Sequence, residues 1–391
     1  MSTAITSDQV RVVIRRLAEV DGGDLPVLSV YLDVRPQATG EQPGRRAAFT
    51  LLRDRLRHIG RSYGPRGEAL DSFRADEERI WSLLENELDT AAQGVAIVAC
   101  HGLDVWEVVP TGVPFLDSVS SGPRPDLYQL AALVDQFETA VVALVDTNTA
   151  RLFVSRLGSL DERAGPDEGT DSFRKRQMGG WSQARYQRHI DKHIADFAAS
   201  AAAAMEELMR REGASRLILA GDEVALTPLR DALSPSAREQ IVDVLREDIR
   251  AQRDPLQRAV DELLAAAERD QGMAVADQVI GGIRSGGLTV AGARRTREAL
   301  EVGAVDTLVL VGPEVGDPGG AAGQDARDLA TEVEAEEDAG APDAAERADL
   351  VRLAALSGAR VEVVDEHGGL ARYGGVGALL RYPLPVRGSN D

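Results

Sequence analysis

A basic segment around a Gly-Gly pair is the part of the chain best suited to chemistry. Positions 173–189 read FRKRQMGGWSQARYQRH. Six cations and a single acid lie between positions 173 and 193, in a chain of formal net charge -20; the cations are Arg174, Lys175, Arg176, Arg185, Arg188 and Lys192. Glycine reaches backbone angles closed to other residues, so Gly179 and Gly180 let the backbone approach a ligand closely. This concentration of positive charge at a tip predicts contact with a polyanion.

A long helix is predicted directly after the tip, over Ser182–Arg211, with its first residue as N-cap. Arg185, Arg188 and Lys192 recur along it at steps of three and four residues, so they lie on one face. Together with the three cations at 174–176, this face predicts phosphate contacts on both sides of a protruding loop. An ordinary solvated helix face is the competing interpretation.

Other kinds of site find little support. His189 and His193 are four residues apart, but no Glu or Cys nearby completes a metal site of three or four ligands. The stretch Gly281–Gly287 lacks the lysine of a P-loop and is predicted to be a structural turn. The single cysteine, Cys100, excludes an internal disulfide and follows an apolar run, so it is predicted to be a buried strand residue. We expect neither a metal nor a cofactor.

Strand and helix patterns alternate along the chain, which favours an α/β fold, and only 4% of the residues are aromatic. We predict three α/β domains, at 1–125, 130–275 and 276–391, with a linker at 118–125. Predicted strands are Val27–Val34, Gly94–Cys100, Val105–Val109, Val141–Asp146, Ala150–Val154, Arg216–Gly221, Val305–Val311 and Val361–Val364. Predicted helices are Val10–Val20, Arg45–His58, Ala75–Thr90, Val224–Leu233, Ser236–Val244, a stretch from Asp254, Ala293–Leu300 and Arg347–Leu356.

Half of the net charge lies in one insertion, 314–349, where twelve acids face only two arginines. The acidic balance elsewhere is milder, so an overall pI near 4.8 does not exclude nucleic-acid binding. No apolar run approaches the roughly 18 residues of a membrane span and the N-terminus lacks a signal-peptide pattern, so we expect a cytoplasmic protein without membrane contact.

Four segments in order along the chain resemble the archaeal/eukaryotic class-one release factor and Pelota superfamily, in its bacterial members. Gly179–Arg188 is similar to that family's Gly-Gly-Gln loop, and Val141–Asp146 with its hairpin to the start of the middle domain. Gly303–Leu308 resembles a signature of the third domain, and Gly374–Tyr382 resembles the C-terminal end of Pelota. The resemblance covers residues 130–382 well and the first domain weakly.

This resemblance implies a three-domain factor of the ribosomal A site, whose middle-domain loop reaches the peptidyl-transferase centre. Its implied partners are rRNA and P-site tRNA, with a translational GTPase left open. In the family a Gln helps water attack the ester that joins peptide to tRNA; here Trp181 stands at that position and Gln183 follows two residues later. Gln183 is therefore the candidate to position water, beside Gly179, Gly180 and the backbone N–H of Trp181.

Two functions stay open at this point. One is hydrolysis of peptidyl-tRNA on stalled ribosomes, which is release or rescue. The other is a non-catalytic hibernation factor that occupies the A site, in which Trp181 stacks on a base. The first domain shows no stop-codon-reading motif, so codon-specific termination is not expected, although the basic helix Arg45–Arg57 is suited to face rRNA or mRNA.

Overall fold

The computed structural model describes residues 5–35, 45–163, 183–312 and 341–384. The helices are α1 Ser7–Ala18, α2 Arg45–Gly60, α3 Glu68–Ser82, α4 Tyr128–Gln136, α5 Gln183–Glu212, α6 Glu223–Ala232, α7 Pro235–Glu239, α8 Arg253–Ser285, α9 Ala293–Glu301, α10 Ala344–Ser357 and α11 Gly368–Ala371. The strands are β1 Val27–Asp33, β2 Gly94–Cys100, β3 Val105–Thr111, β4 Ser118–Gly122, β5 Ala140–Val145, β6 Ala150–Arg156, β7 Ser159–Arg163, β8 Arg216–Gly221, β9 Ile241–Leu245, β10 Thr289–Ala291, β11 Val305–Val311, β12 Arg360–Val364 and β13 Val376–Leu380.

Mixed α/β architecture is confirmed, with the strands in three sheets. The chain divides into two compact units: one joins the residues up to Gln136 with those from Glu268 onward, and the other is Phe137–Ala267. The predicted boundary at 275/276 falls inside the continuous helix α8, and the three-domain division stays a prediction. None of the helices in the described ranges is long and apolar enough to cross a membrane.

The N-terminal sheet has the antiparallel order β3-β2-β1-β4. Alternate residues of β1 point to opposite faces, and Leu28, Val30 and Leu32 pack with Leu52 and Leu56 of the predicted basic helix α2. Cys100 ends β2 and is buried, as predicted.

Two predictions for this sheet were wrong. The proposed linker at 118–125 contains the edge strand β4, which pairs with β1 and places Val119 opposite Val30. Its Ser- and Gly-rich sequence does not show the apolar pattern of a strand, because an edge strand is stabilised by backbone pairing with its neighbour and needs few apolar side chains. Helix α3 begins at Glu68 and not at Ala75, since Gly67 serves as its N-cap.

The C-terminal sheet has the order β10-β13-β11-β12, with β11 and β12 parallel and the other pairs antiparallel. The turn predicted at Gly281–Gly287 was wrong, because α8 runs through both of its first glycines and ends at Ser285. A Cβ on Gly282 would lie 2.5 Å from the Cγ2 of Thr289. That glycine therefore permits close packing of helix on strand, and only Gly286, with φ of +69°, turns the chain.

The middle unit contains the sheet β7-β6-β5-β8-β9, in which β5, β8 and β9 run parallel and β5-β6-β7 form an antiparallel meander. On one face Val141, Ala143 and Val145 pack against α5 and α6; on the other, Val142 and Leu144 pack against the start of α8. This two-sided burial explains the continuous apolar run of β5.

One element of this unit differs from prediction, and one further strand was not predicted. The helix expected at Ser236–Val244 is the short helix α7 followed by the strand β9, because the sequence Ile-Val-Asp-Val-Leu after Gln240 is rich in β-branched residues that suit a strand. The polar sequence after Gly158 forms β7, which pairs with β6.

Candidate RNA-binding and catalytic site

Most of the predicted tip lies outside the described residues. Roles predicted there stay predictions; they belong to Arg174, Lys175, Arg176, Gly179, Gly180, Trp181 and the N-cap Ser182. The positions Gln183, Arg185 and Arg188 fall within α5, and Lys192 is exposed on the same helix. The helical spacing that places positions 185, 188 and 192 on one face is confirmed by the backbone.

Helix α5 leads from the predicted tip to the core of the middle unit. Among its side chains from position 192 onward, those of residues 192–196 are exposed or half-buried, and Phe197 is the first that lies in the core. At about 1.5 Å of rise per residue, Gln183 lies roughly 21 Å along the axis from Phe197. From Phe197 onward a small-residue stripe (Ala198, Ala201, Ala202) packs the helix on the sheet. The helix is thus held on the sheet from Phe197 onward.

The strands β6 and β7, which precede the predicted tip in the chain, are joined by a tight hairpin and linked to α5 by an ion pair. Leu157 and Gly158 both have positive φ, of 45° and 76°, which gives the two-residue turn that joins β6 to β7. Beside it, the guanidinium of Arg156 donates to the carboxylate of Glu212, at the end of α5, over 2.6 Å. Both side chains are largely buried, at 7% and 15% exposure, so this pair fixes the far end of α5 to the hairpin.

Helix α8 contributes a carboxyl group to the underside of the same hairpin. Gln257 donates from Nε2 to the carbonyl oxygen of Gly158 over 2.6 Å. One turn further, burial raises the pKa of Asp261 from its usual value near 3.8 to about 6, against the smaller opposing effect of a hydrogen bond from Gln257. Asp261 is thus linked to the hairpin through Gln257.

A second cationic surface lies on the N-terminal sheet, where α2 carries exposed arginines on its outer side. We call Arg46, Arg53 and Arg57 the α2 arginine face; all three are exposed. The guanidinium of Arg53 also lies 5.4 Å from the ring of Trp81, and that of Arg57 pairs with Asp54 over 3.1 Å. The basic helix recognised in the sequence therefore does present its charges to solvent.

Three buried carboxylates meet in the unit that contains both terminal sheets. Asp135 of α4, Glu268 of α8 and Glu362 of β12 bring one oxygen each within 4.8 Å of one another. Asp135 also accepts a hydrogen bond from the backbone N–H of Val363 over 2.7 Å. Carboxylate oxygens suit a hard divalent cation, but protons shared among the three acids would compensate the same charge, so the cluster by itself does not identify a ligand.

Sequence reasoning missed this cluster, because its members are far apart in the chain. The one local signal is an acid inside an apolar strand, Glu362 within Arg-Val-Glu-Val-Val.

Comparison with known proteins relates the middle of the chain to one family. Residues 125–271 match the model of bacterial archaeo-eukaryotic release factor family 10. The matched range includes the Gly-Gly tip, all of the five-stranded sheet and the helix α5. No curated protein matches the chain.

Solved structures align over most of the chain at low identity. An archaeal translation termination factor, aRF1, is 16% identical over 97% of this chain and 99% of its own, with a TM-score of 0.26. Pelota from Archaeoglobus fulgidus is 15% identical over 97% and 93%, with a TM-score of 0.34. Dom34 from S. cerevisiae is 13% identical over 75% and 80%, with a TM-score of 0.39. At such TM-scores the alignments do not establish a common three-dimensional arrangement.

The family match and the sequence motifs agree on the same segment, since the Gly-Gly tip expected from the residues lies inside the matched range. Over residues 125–271, the chain is therefore similar to the bacterial family of archaeo-eukaryotic release factors, and the match leaves the two terminal sheets outside it.

Proposed function

We propose that this protein is a ribosome-associated translation factor that enters the A site and brings the 174–193 segment to the peptidyl-transferase centre. The proposed reaction is hydrolysis of peptidyl-tRNA on stalled ribosomes. The observation that carries this proposal is the release-factor family match over residues 125–271, which contain the cationic Gly-Gly segment. The proposed partners are rRNA and P-site tRNA, with a translational GTPase as a further candidate.

The way in which α5 is anchored supports the proposal that it extends the 174–193 segment toward the peptidyl-transferase centre. A factor that acts at a centre inside a large RNA assembly needs its reactive residues held away from its own core. The roughly 21 Å of helix between Gln183 and Phe197 gives α5 the length for such a reach. The pair of Arg156 with Glu212 and the tight turn at Leu157 stiffen the base from which the segment extends.

In the proposed reaction water attacks the ester carbonyl that joins the peptide to tRNA, and the tRNA hydroxyl leaves. The side-chain amide of Gln183 orients the water, and the backbone N–H of Trp181 donates to the developing oxyanion. Gly179 and Gly180 permit the close backbone approach. Arg174, Lys175, Arg176, Arg185, Arg188 and Lys192 bind RNA phosphates.

One sequence feature favours a second function, which is occupation of the A site of idle ribosomes without catalysis. Trp181 stands where the family has its Gln, and an indole N–H can donate but not accept a hydrogen bond, so it cannot replace an amide. An indole can instead stack on a base, a contact worth about 1–3 kcal/mol.

The deciding experiment uses ribosomes that carry labelled peptidyl-tRNA in the P site and an empty A site. Co-sedimentation measures binding, and free labelled peptide measures hydrolysis. Binding with release supports the hydrolase, and binding without release supports the hibernation factor. Absence of binding would overturn both.

Two glutamine variants test the assignment of Gln183. We expect Gln183→Ala to lower the rate of peptide release by about 100-fold, the lower range for loss of one positioned group, with little change in co-sedimentation. Gln187→Ala, four residues along the same helix, is the matched control and should release peptide at the wild-type rate. Release by Gln183→Ala at the wild-type rate would remove Gln183 from the mechanism.

A further inference from the structure

We propose that the α2 arginine face (Arg46, Arg53 and Arg57) binds the phosphate backbone of double-stranded RNA, as a second RNA contact separate from the tip. The proposal concerns the N-terminal sheet, outside the range that matches the release-factor family. It does not rest on the A-site role, because it is argued from charge and exposure on α2 alone.

The local charge is opposite to that of the whole chain. Residues 45–67, which span α2 and the turn after it, contain seven arginines and one acid, in a protein of net charge -20. The following helix α3 reverses the sign, with five acids and two arginines. Positive charge is therefore concentrated on one helix and the turn that follows it, which is the electrostatic pattern expected of a nucleic-acid contact.

The packing of α2 decides which way these charges face. Ala48, Leu52 and Leu56 are fully buried against the sheet, so the opposite side of the helix faces solvent. Arg46, Arg53 and Arg57 are spaced by seven and four residues and lie within one stripe along that side. At about 1.5 Å per residue the stripe extends roughly 16 Å along the helix, and the exposed Arg61 follows it in the turn.

Little within the protein neutralises this stripe. Asp54 is the only acid of α2, and its ion pair with Arg57 joins side chains that are 66% and 56% exposed. Exposed pairs of this kind are worth little and are readily exchanged for another anion. No ion pair of Arg46 or Arg53 is found among the described residues.

The aromatic residues nearby indicate recognition of backbone rather than bases. Binding of single strands usually relies on free rings on which bases stack. Phe49 and Trp81 are only half-buried, but they pack edge-on against each other at 5.8 Å and against the core. They lie beside the stripe and leave its outward side to arginines, Thr50 and Asp54, which suits phosphates held in a duplex.

The test measures binding of the full-length protein to a fluorescent RNA duplex of about two helical turns, over a range of salt concentrations. The test variant is Arg46→Gln/Arg53→Gln/Arg57→Gln. The matched control is Arg269→Gln/Arg295→Gln/Arg360→Gln, which removes the same charge from exposed arginines of α8, α9 and β12. A third variant, Arg174→Gln/Lys175→Gln/Arg176→Gln, removes the same charge from the tip.

We expect the α2 variant to bind at least about tenfold more weakly at low salt and to lower the slope of log K against log salt by about 2 to 3, since three phosphate contacts are lost. The charge-matched control should stay within about twofold of wild type. The proposal is overturned if wild type does not bind the duplex, if the control loses as much affinity as the α2 variant, or if only the tip variant weakens binding. In that last case the proposed function would stand while this surface would not.

Discussion

Replacement of Asp261 by Asn tests whether burial of a carboxyl group beneath the β6–β7 hairpin destabilises the middle unit at neutral pH. Burial raises the pKa of Asp261 from near 3.8 to about 6. The folded unit therefore binds more protons than the unfolded chain between about pH 4 and pH 6, and this group makes the unit less stable as pH rises through that window. The loss is complete about one pH unit above the raised pKa.

The magnitude follows from the size of the shift. About two pKa units correspond to roughly 3 kcal/mol at most, at about 1.4 kcal/mol per unit. Asp261 keeps a hydrogen bond from Gln257 and is not fully buried, so solvent screening reduces this to about 1–2 kcal/mol. The amide of Asn can still accept from Gln257 and has no charge to desolvate. We expect Asp261→Asn to stabilise the unit by that amount at pH 7.5 and to have almost no effect at pH 4.

Urea titrations read out by hydrogen exchange of the β5 and β8 amides would follow the middle unit alone. Asp270→Asn is the matched control, because Asp270 is exposed on the same helix, and it should leave stability unchanged at both pH values. The reasoning fails if Asp261→Asn gives no stabilisation at pH 7.5, or if its effect is as large at pH 4.

Two further predictions concern backbone geometry and long-range charge. At Gly221, with φ of +143°, an added Cβ would lie 2.1 Å from the carbonyl oxygen of Val145, so we expect Gly221→Ala to lower the free energy of unfolding by about 3 kcal/mol or more. Gly23, at φ of +57°, has open space around it, so Gly23→Ala should lower it by only about 1 kcal/mol. Equal losses in unfolding experiments would contradict this reasoning. Deletion of residues 313–340 removes nine acids and one arginine. We expect the deletion to raise the affinity for an RNA duplex several-fold at low salt and to leave it nearly unchanged near about 0.5 M salt, because salt screens the repulsion. A gain in affinity that persists at high salt would refute a purely electrostatic effect.

The elements that sequence alone predicts well are those whose apolar pattern is dictated by the core. The fully buried strands β2 and β5 read as unbroken apolar runs, β1 is apolar apart from Ser29, the tyrosine hydroxyl and its last residue Asp33, and α2 shows its buried stripe at Leu52 and Leu56. For the same reason the basic character of the outer side of α2 was visible, because residues that are not needed in the core are free to be charged.

Prediction failed where backbone pairing or close packing, and not side-chain hydrophobicity, determines the structure. The edge strand β4 has serine at three of its five positions and is recognisable only through its partner β1. Gly282 resembles a turn residue in the sequence, but it lies within the long helix α8 and leaves room for the side chain of Thr289 on β10. The meeting of Asp135, Glu268 and Glu362 depends on three elements distant in sequence, which no local pattern records.

The two proposed RNA contacts, the α2 arginine face and the 174–193 segment, would allow an acidic protein to bind RNA. At physiological ionic strength charges are screened beyond about 8 Å, so a phosphate near α2 responds to the arginines along its stripe and little to the chain's overall charge of -20. Repulsion between like charges at short range disfavours contacts of RNA phosphates with the acidic remainder of the surface. Under the two proposals, the acidic remainder of the surface would therefore favour those orientations of RNA that place phosphates on the α2 arginine face or on the 174–193 segment. Two such surfaces on separate compact units would also couple their affinities, so loss of either one should weaken binding to a large RNA assembly by more than it weakens binding to a short duplex.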